Sequence, residues 1–214
     1  MSDVSERADA TPAAPAGPQP IAEAGALGLV TFAVSTFLLS MVNANLVSSV
    51  DAAMVLPVAF FVGGIVQLIA GILLFRANNQ FGGTVHSLYG GFWMSYVVLA
   101  HNVLAPAKGP APAGAIPATP ASLQGHAVGL YLIAWAIPTL LLTIVALKEP
   151  KSVTITLALL TVTFVILGIG EAGASTGLVH FGGWLGIVTA VGAFYVSFGL
   201  TLNHVWGKNL VPLL

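Results

Sequence analysis

Residues 26–47, 54–75, 84–104, 126–147, 152–170 and 182–205 are six runs of mostly apolar residues, parted by polar or Gly/Pro-rich breaks. A helix rising about 1.5 Å per residue needs about 20 such residues to cross the hydrocarbon of a bilayer. In lipid the backbone N–H and C=O groups find no water, so each run must satisfy them internally as a helix. The expected fold is therefore all-α: a polytopic membrane protein with six transmembrane helices. A soluble alternative fails on composition. The chain is 57% hydrophobic and 6% charged, against about 25% charged in a soluble domain. A single core of 214 residues cannot hide that much apolar surface.

The flanks divide the chain. Residues 1–23 are Ala/Pro-rich and polar, lack an apolar targeting core, and read as a disordered tail. Residues 24–208 form the six-helix unit, interrupted by the Pro/Ala-rich loop 105–124, and 209–214 read as a C-terminal tail. If six helices alternate, Arg7, Arg76, Lys148, Lys151 and Lys208 fall on one side and only Lys108 on the other. Basic loops stay cytoplasmic. Both termini are thus expected in the cytoplasm, with 105–124 outside the cell membrane. Six Lys and Arg in total offer no patch for nucleic acid. The absence of cysteine rules out thiolate chemistry.

Catalysis finds no foothold. No span carries a carboxylate, Lys or Arg near its centre, and no metal-ligand spacing or Ser/His/Asp cluster occurs. An enzyme is not expected, and neither a metal nor a cofactor. The spans carry mild polarity at helical spacing instead. Thr36, Ser40 and Asn43 share a face of the first helix, extended a turn by Phe32. Gly63, Gln67 and Gly71 repeat at four in the second, Gly83, Ser87, Gly91 and Ser95 in the third, and Gly182, Gly186 and Ala190 in the sixth. Small residues so spaced let helices approach closely. Packing alone accounts for such seams; a narrow path between helices would use the same residues. Gln67 stands out, because an amide in hydrocarbon must find a partner or line a wet path. The candidate pore-lining or substrate-binding residues are Thr36, Asn43, Gln67, Ser87 and Thr161. His101, His126 and His180 fall on the outer side, where protonation would draw an anion to the mouth; surface histidines without a role are the plainer reading. His86 receives no assignment.

The stretch FGGTVHSLYGGFW (81–93) resembles the third-helix signature of the succinate–acetate permeases and their fungal acetate and ammonia-export relatives. ALGLVTFAVSTFLLSMVNA (26–44), FFVGGIVQLIAGILLFRANNQFG (60–82), GLYLIAWAIPTLLLTIVAL (129–147), LTVTFVILGIGE (160–171) and FGGWLGIVTAVGAFYVSFGLTLN (181–203) are similar to the other helices, in the same order. The resemblance implies a hexamer of six-helix protomers, each with its own path for acetate and in some cases succinate or other short monocarboxylates. It also implies a hydrophobic gate, carried over onto Phe32, Tyr89 and Leu160. Counted from the expected helix starts, these three lie at about 9, 8 and 12 Å depth, near enough to form one ring. The family's Asn-Pro-Ala-Pro-type run is replaced here by Glu23, Ala24, Gly25 and Ala26, which sets an acid at the cytoplasmic mouth.

The expected partners are accordingly acetate or related small carboxylates, protons, membrane lipid and further copies of the chain. A hydrophobic ring suits a weak acid, whose neutral form is desolvated far more cheaply than its anion. Two alternatives stand beside this: a channel for a small neutral solute such as urea or an amide, and a non-transporting membrane scaffold.

Overall fold

The computed structural model describes residues 22–48, 51–101 and 121–213. Most of the expected N-terminal tail and of the loop 105–124, with Arg7 and Lys108, lies outside them. Among the described residues there is no strand. Six long helices follow one another: α1 Gly25–Asn43, α2 Ala52–Arg76, α3 Gln80–Leu99, α4 Ala121–Val145, α5 Lys151–Ala172 and α6 Thr176–Trp206. Five are long and apolar enough to cross a membrane by composition alone. The exception is α3, which carries the glycines, His86 and Ser87; its Val85, His86, Tyr89, Phe92, Trp93 and Tyr96 are buried in protein rather than offered to lipid.

Local chemistry sets the helix ends. The Asn79 side chain caps α3 by accepting the Gly82 N–H at 2.8 Å. Pro150, at φ −51°, precedes the first turn of α5. Gly207 ends α6 in the left-handed region at φ 61°, which costs glycine nothing. Within α2, residues Ala59–Val66 widen into π-helical turns around Gly63 and Gly64. A Cβ on Gly63 would fall 2.4 Å from Ser35 Oγ and 2.7 Å from the Trp93 ring, so this glycine admits α1 and α3 together.

The helices close into a ring in the order α3, α2, α1, α6, α5, α4. Four seams are tight at the backbone: α1 with α6, α4 with α5, α5 with α6, and α2 with α3. Small residues fill them, Gly186 of the sequence stripe together with Gly183 and Gly129, which the stripes did not include. Gly183 faces the Asn43–Ala44 backbone, Gly186 faces Ser40, and Gly129 faces Ala172. The seam between α3 and α4 is filled differently. Phe92 lies 5.7 Å from the Tyr131 ring and 5.2 Å from that of Trp135. Tyr131 also hydrogen-bonds the Phe92 carbonyl at 2.8 Å. Large aromatic rings hold these two backbones apart where glycines draw the others together.

Outside, the bundle is greasy: Phe61, Ile72, Ile137, Leu141, Phe181, Trp184 and Phe198 are exposed. That inverts a soluble protein and matches a lipid or protomer surroundings. Arg76, Lys148, Lys151 and Lys208 gather at the end that holds the start of α1, called here the tail end. Residues 209–213, expected as a tail, are tied back against that end. Asn203 Oδ1 accepts the backbone N–H groups of Leu210 and Val211 at 2.8 and 2.9 Å, and Ser152 Oγ donates to the Leu213 carbonyl at 2.6 Å.

Candidate functional site

α1, α3 and α5 all run from the tail end to the far end, and their facing sides leave two cavities in line. The tail-end cavity has a volume of about 220 Å³ and the far one about 40 Å³. Liquid water occupies about 30 Å³ per molecule. The first therefore holds several waters or one short organic acid, and the second little more than one water.

Between them lies a ring of three side chains, one from each of these helices. Phe32, Tyr89 and Leu160 all border the tail-end cavity, and Phe32 and Leu160 border the far one too. They are 5%, 1% and 3% exposed. The Phe32 and Tyr89 rings are 5.6 Å apart, tilted by 44°. Counted from the observed helix starts, they sit about 11, 14 and 14 Å deep, closer in level than the sequence-based starts suggest. The Tyr89 hydroxyl donates to Thr139 Oγ1 at 3.1 Å, and Thr139 donates on to the Trp135 carbonyl. One edge of the ring is thus tethered across the aromatic seam to α4.

The sequence candidates separate on this frame. Thr36 and Asn43 border the far cavity, with Ser40 between them, so the polar stripe of α1 faces that cavity. Gln67 borders the tail-end cavity and is fully buried. Ser87 and Thr161 border neither cavity. Ser87 is set against Gly71, whose added Cβ would fall 2.3 Å from its Oγ; Thr161 bonds the Leu157 carbonyl at 2.9 Å and Thr143 at 3.1 Å. Both are seam residues, because a hydroxyl next to a small residue serves close approach as readily as it serves a path. His101, His126 and His180 share the far end but are exposed and border neither cavity.

Sequence reasoning missed four contributors. His86 is buried, lines the tail-end cavity one turn below Tyr89, and stands 3.4 Å by Nδ1 from Gln67 Nε2. Gly28 makes room for it: an added Cβ would come within 2.5 Å of the imidazole. Glu149, from the α4–α5 turn, joins Glu23 at the tail-end mouth, and Leu213 roofs it from the returning C-terminus. The position of His86 in a glycine-rich stretch was visible, but the partner, 19 residues away in the chain, was not. Among the described residues no three His, Asp or Glu side chains come together as a metal site would.

Comparison with known proteins agrees with this architecture. The chain matches the GPR1/FUN34/yaaH family over residues 7–207. It is 31% identical over 193 residues to the succinate-acetate/proton symporter SatP of Escherichia coli, covering 90% of this chain and 95% of that one. It is 36% identical over 188 residues to ammonia transport outward protein 2 of Saccharomyces cerevisiae, covering 86% of this chain and 63% of the yeast protein. Among solved structures, the bacterial acetate channel SatP superimposes with a TM-score of 0.76 at 29% identity, covering 89% of this chain and 98% of that one.

Proposed function

The chain belongs to the GPR1/FUN34/yaaH family, and from that premise we propose that it passes acetate and related short monocarboxylic acids, succinate among the candidates, across the cell membrane. The observation that carries the reading is the pair of in-line cavities that share Phe32 and Leu160. Two cavities that meet at one apolar ring make a gate in physical terms: it selects by size and by the cost of shedding water.

The ring also selects the form of the substrate. A carboxylate crossing it would lose its hydration with no cation to receive it, whereas the undissociated acid loses far less. Proton linkage then needs no relay of buried carboxylates, because the substrate brings its own proton. Glu23 and Glu149 at the tail-end mouth repel the anion further. With an acid of pKa about 4–5, flux at fixed total acetate should fall about tenfold per unit between about pH 6 and 8. His101, His126 and His180 would attract an anion at the outer mouth if protonated, and their triple replacement by Gln is the control for that slope.

The wider reading follows the resemblance. The protein is a hexamer with one path per protomer, sits in the cell membrane, and keeps both termini cytoplasmic. Native mass spectrometry and protease protection of terminal tags test those points. A neutral solute such as urea, an amide or ammonia is the second reading, favoured by the two mouth carboxylates. Vesicles carrying the purified protein, supplied with labelled acetate or labelled urea, separate the two. Acetate flux without urea flux is expected; urea flux alone would replace the first reading, and flux of neither would leave a scaffold.

A further inference from the structure

One turn tailward of the ring, two polar side chains lie in a cavity otherwise lined largely by Leu29, Phe81, Val85, Val153 and Leu157. Gln67 is 0% and His86 4% exposed, and they pair with each other at 3.4 Å. The Gln67 carbonyl oxygen is buried with no hydrogen-bond partner. Leaving such an acceptor unmet is costly. Its place beside a cavity points to a ligand that meets it.

The chemistry of that ligand follows from counting donors and acceptors. If the Gln67 amide donates to Nδ1 of a neutral imidazole, the pair is left with the carbonyl as acceptor and with Nε2–H and the second amide N–H as donors. If the amide is turned over and Nδ1–H donates to its oxygen, the NH₂ is left as donor and Nε2 as acceptor. Both arrangements offer the cavity at least one donor and one acceptor. A carboxylate has acceptors only and leaves the acceptor of the pair unmet. A carboxylic acid, with its O–H and C=O, meets both. The charged groups bordering the same cavity, Glu23 and Glu149, stand at its mouth and oppose an anion.

We propose that Gln67 and His86 form a recognition site for an undissociated carboxyl group, holding the acid below the ring before it crosses. Gly28 belongs to the site as a positioning residue, because only a side chain of hydrogen lets the imidazole lie against α1. This deepens the transport reading and rests on it only for the identity of the natural substrate. The site itself is a statement about neutral groups that pair one donor with one acceptor, which include primary amides.

Acetamide is therefore the probe: it carries the same donor–acceptor pair as acetic acid and has no charge at neutral pH. Calorimetric titration of the full-length protein in detergent should show acetamide binding, weakened about tenfold or more in Gln67→Met, the scale of losing a buried hydrogen bond or two. Gln67→Met keeps the length of the side chain but strands His86; in the double variant Gln67→Met/His86→Phe no polar group of the pair stays unmet, so the melting temperature should hold while acetamide binding is lost. His86→Phe should weaken acetamide equally if it folds. In vesicles, acetamide should compete with acetate in the wild type and lose that competition in Gln67→Met. Undiminished acetamide binding in Gln67→Met, or no acetamide binding to the wild type, overturns the site. Gln67-dependent acetamide binding without any acetate flux keeps the site and sinks the carboxylic-acid transport reading instead.

Discussion

The two cavities share α1, α3 and α5, with α2 and α6 completing the tail-end one and α4 the far one, and they differ in almost everything else. Below the ring, α3 brings the glycines and His86, and the cavity is about 220 Å³ with a buried hydrogen-bonded pair and two carboxylates at its mouth. Above it, α3 brings Phe92, Trp93 and Tyr96, and about 40 Å³ remains. The polar content of the far half is the α1 stripe, whose Thr36 hydroxyl has no partner, together with Thr163 and Glu171 of α5. One helix thus changes from permissive to space-filling within three turns. Recognition and passage need different environments: room and paired polar groups to hold a solute, dense apolar packing to strip it.

The largest effect should come from the ring that divides the halves. Leu160→Ala removes a side chain common to both cavities and merges them, and the lactate-to-acetate flux ratio should rise about fivefold or more, normalised to folded protein. Phe32→Ala and Tyr89→Ala should move it the same way. If none of the three changes the ratio, the cavities are not one path and the comparison between them collapses.

Next in size is a test of how tightly the lower half is fitted. Gly28→Ala drives a methyl into the His86 ring and should cost about 1–3 kcal/mol, read as a fall in melting temperature together with weaker acetamide binding. Gly91→Ala, two residues beyond Tyr89 on α3, meets nothing within 4 Å. It should be neutral or stabilise by up to about 1 kcal/mol, because glycine is the weaker helix former. Equal losses in the two variants would mean that the glycines serve helix packing in general and not the cavity.

Tyr89→Phe asks whether the tether to Thr139 holds the ring shut. The apolar outline stays and one hydrogen bond goes, so acetate flux should rise about two- to fivefold with the selectivity ratio unchanged. A rise in lactate flux as well would mean that the hydroxyl itself narrows the opening.

The smallest effect is expected in the upper half. Thr36→Val replaces a buried, unpartnered hydroxyl with a methyl of similar size, and should leave acetate flux within about twofold while stability holds or improves. A large loss of flux would show that the far cavity also recognises the solute, and would erase the division of labour between the halves.

The sequence by itself determined the solvent, the helix count and the seams. Apolar runs of about 20 residues can do only one thing in a bilayer, and a small residue every fourth position marks close approach whatever the partner. The α1 stripe was legible for the same reason: Phe32, Thr36, Ser40 and Asn43 follow a 3.6-residue period that one helix displays unaided. Ser87 and Thr161 had the same appearance and lie in seams, because period alone gives the face of a helix and not what it faces. The C-terminal residues read as a tail from their lack of pattern, while the bonds that pin them come from Ser152 and Asn203 on other elements. The Gln67–His86 pair was decided by the fold alone. Its members sit on different helices, and only the glycine gap at Gly28 and the packing of α2 on α3 bring an amide and an imidazole to the same cavity wall. Side-chain periodicity is a property of one helix; a hydrogen bond between two helices, and the empty space beside it, exists only once they are packed.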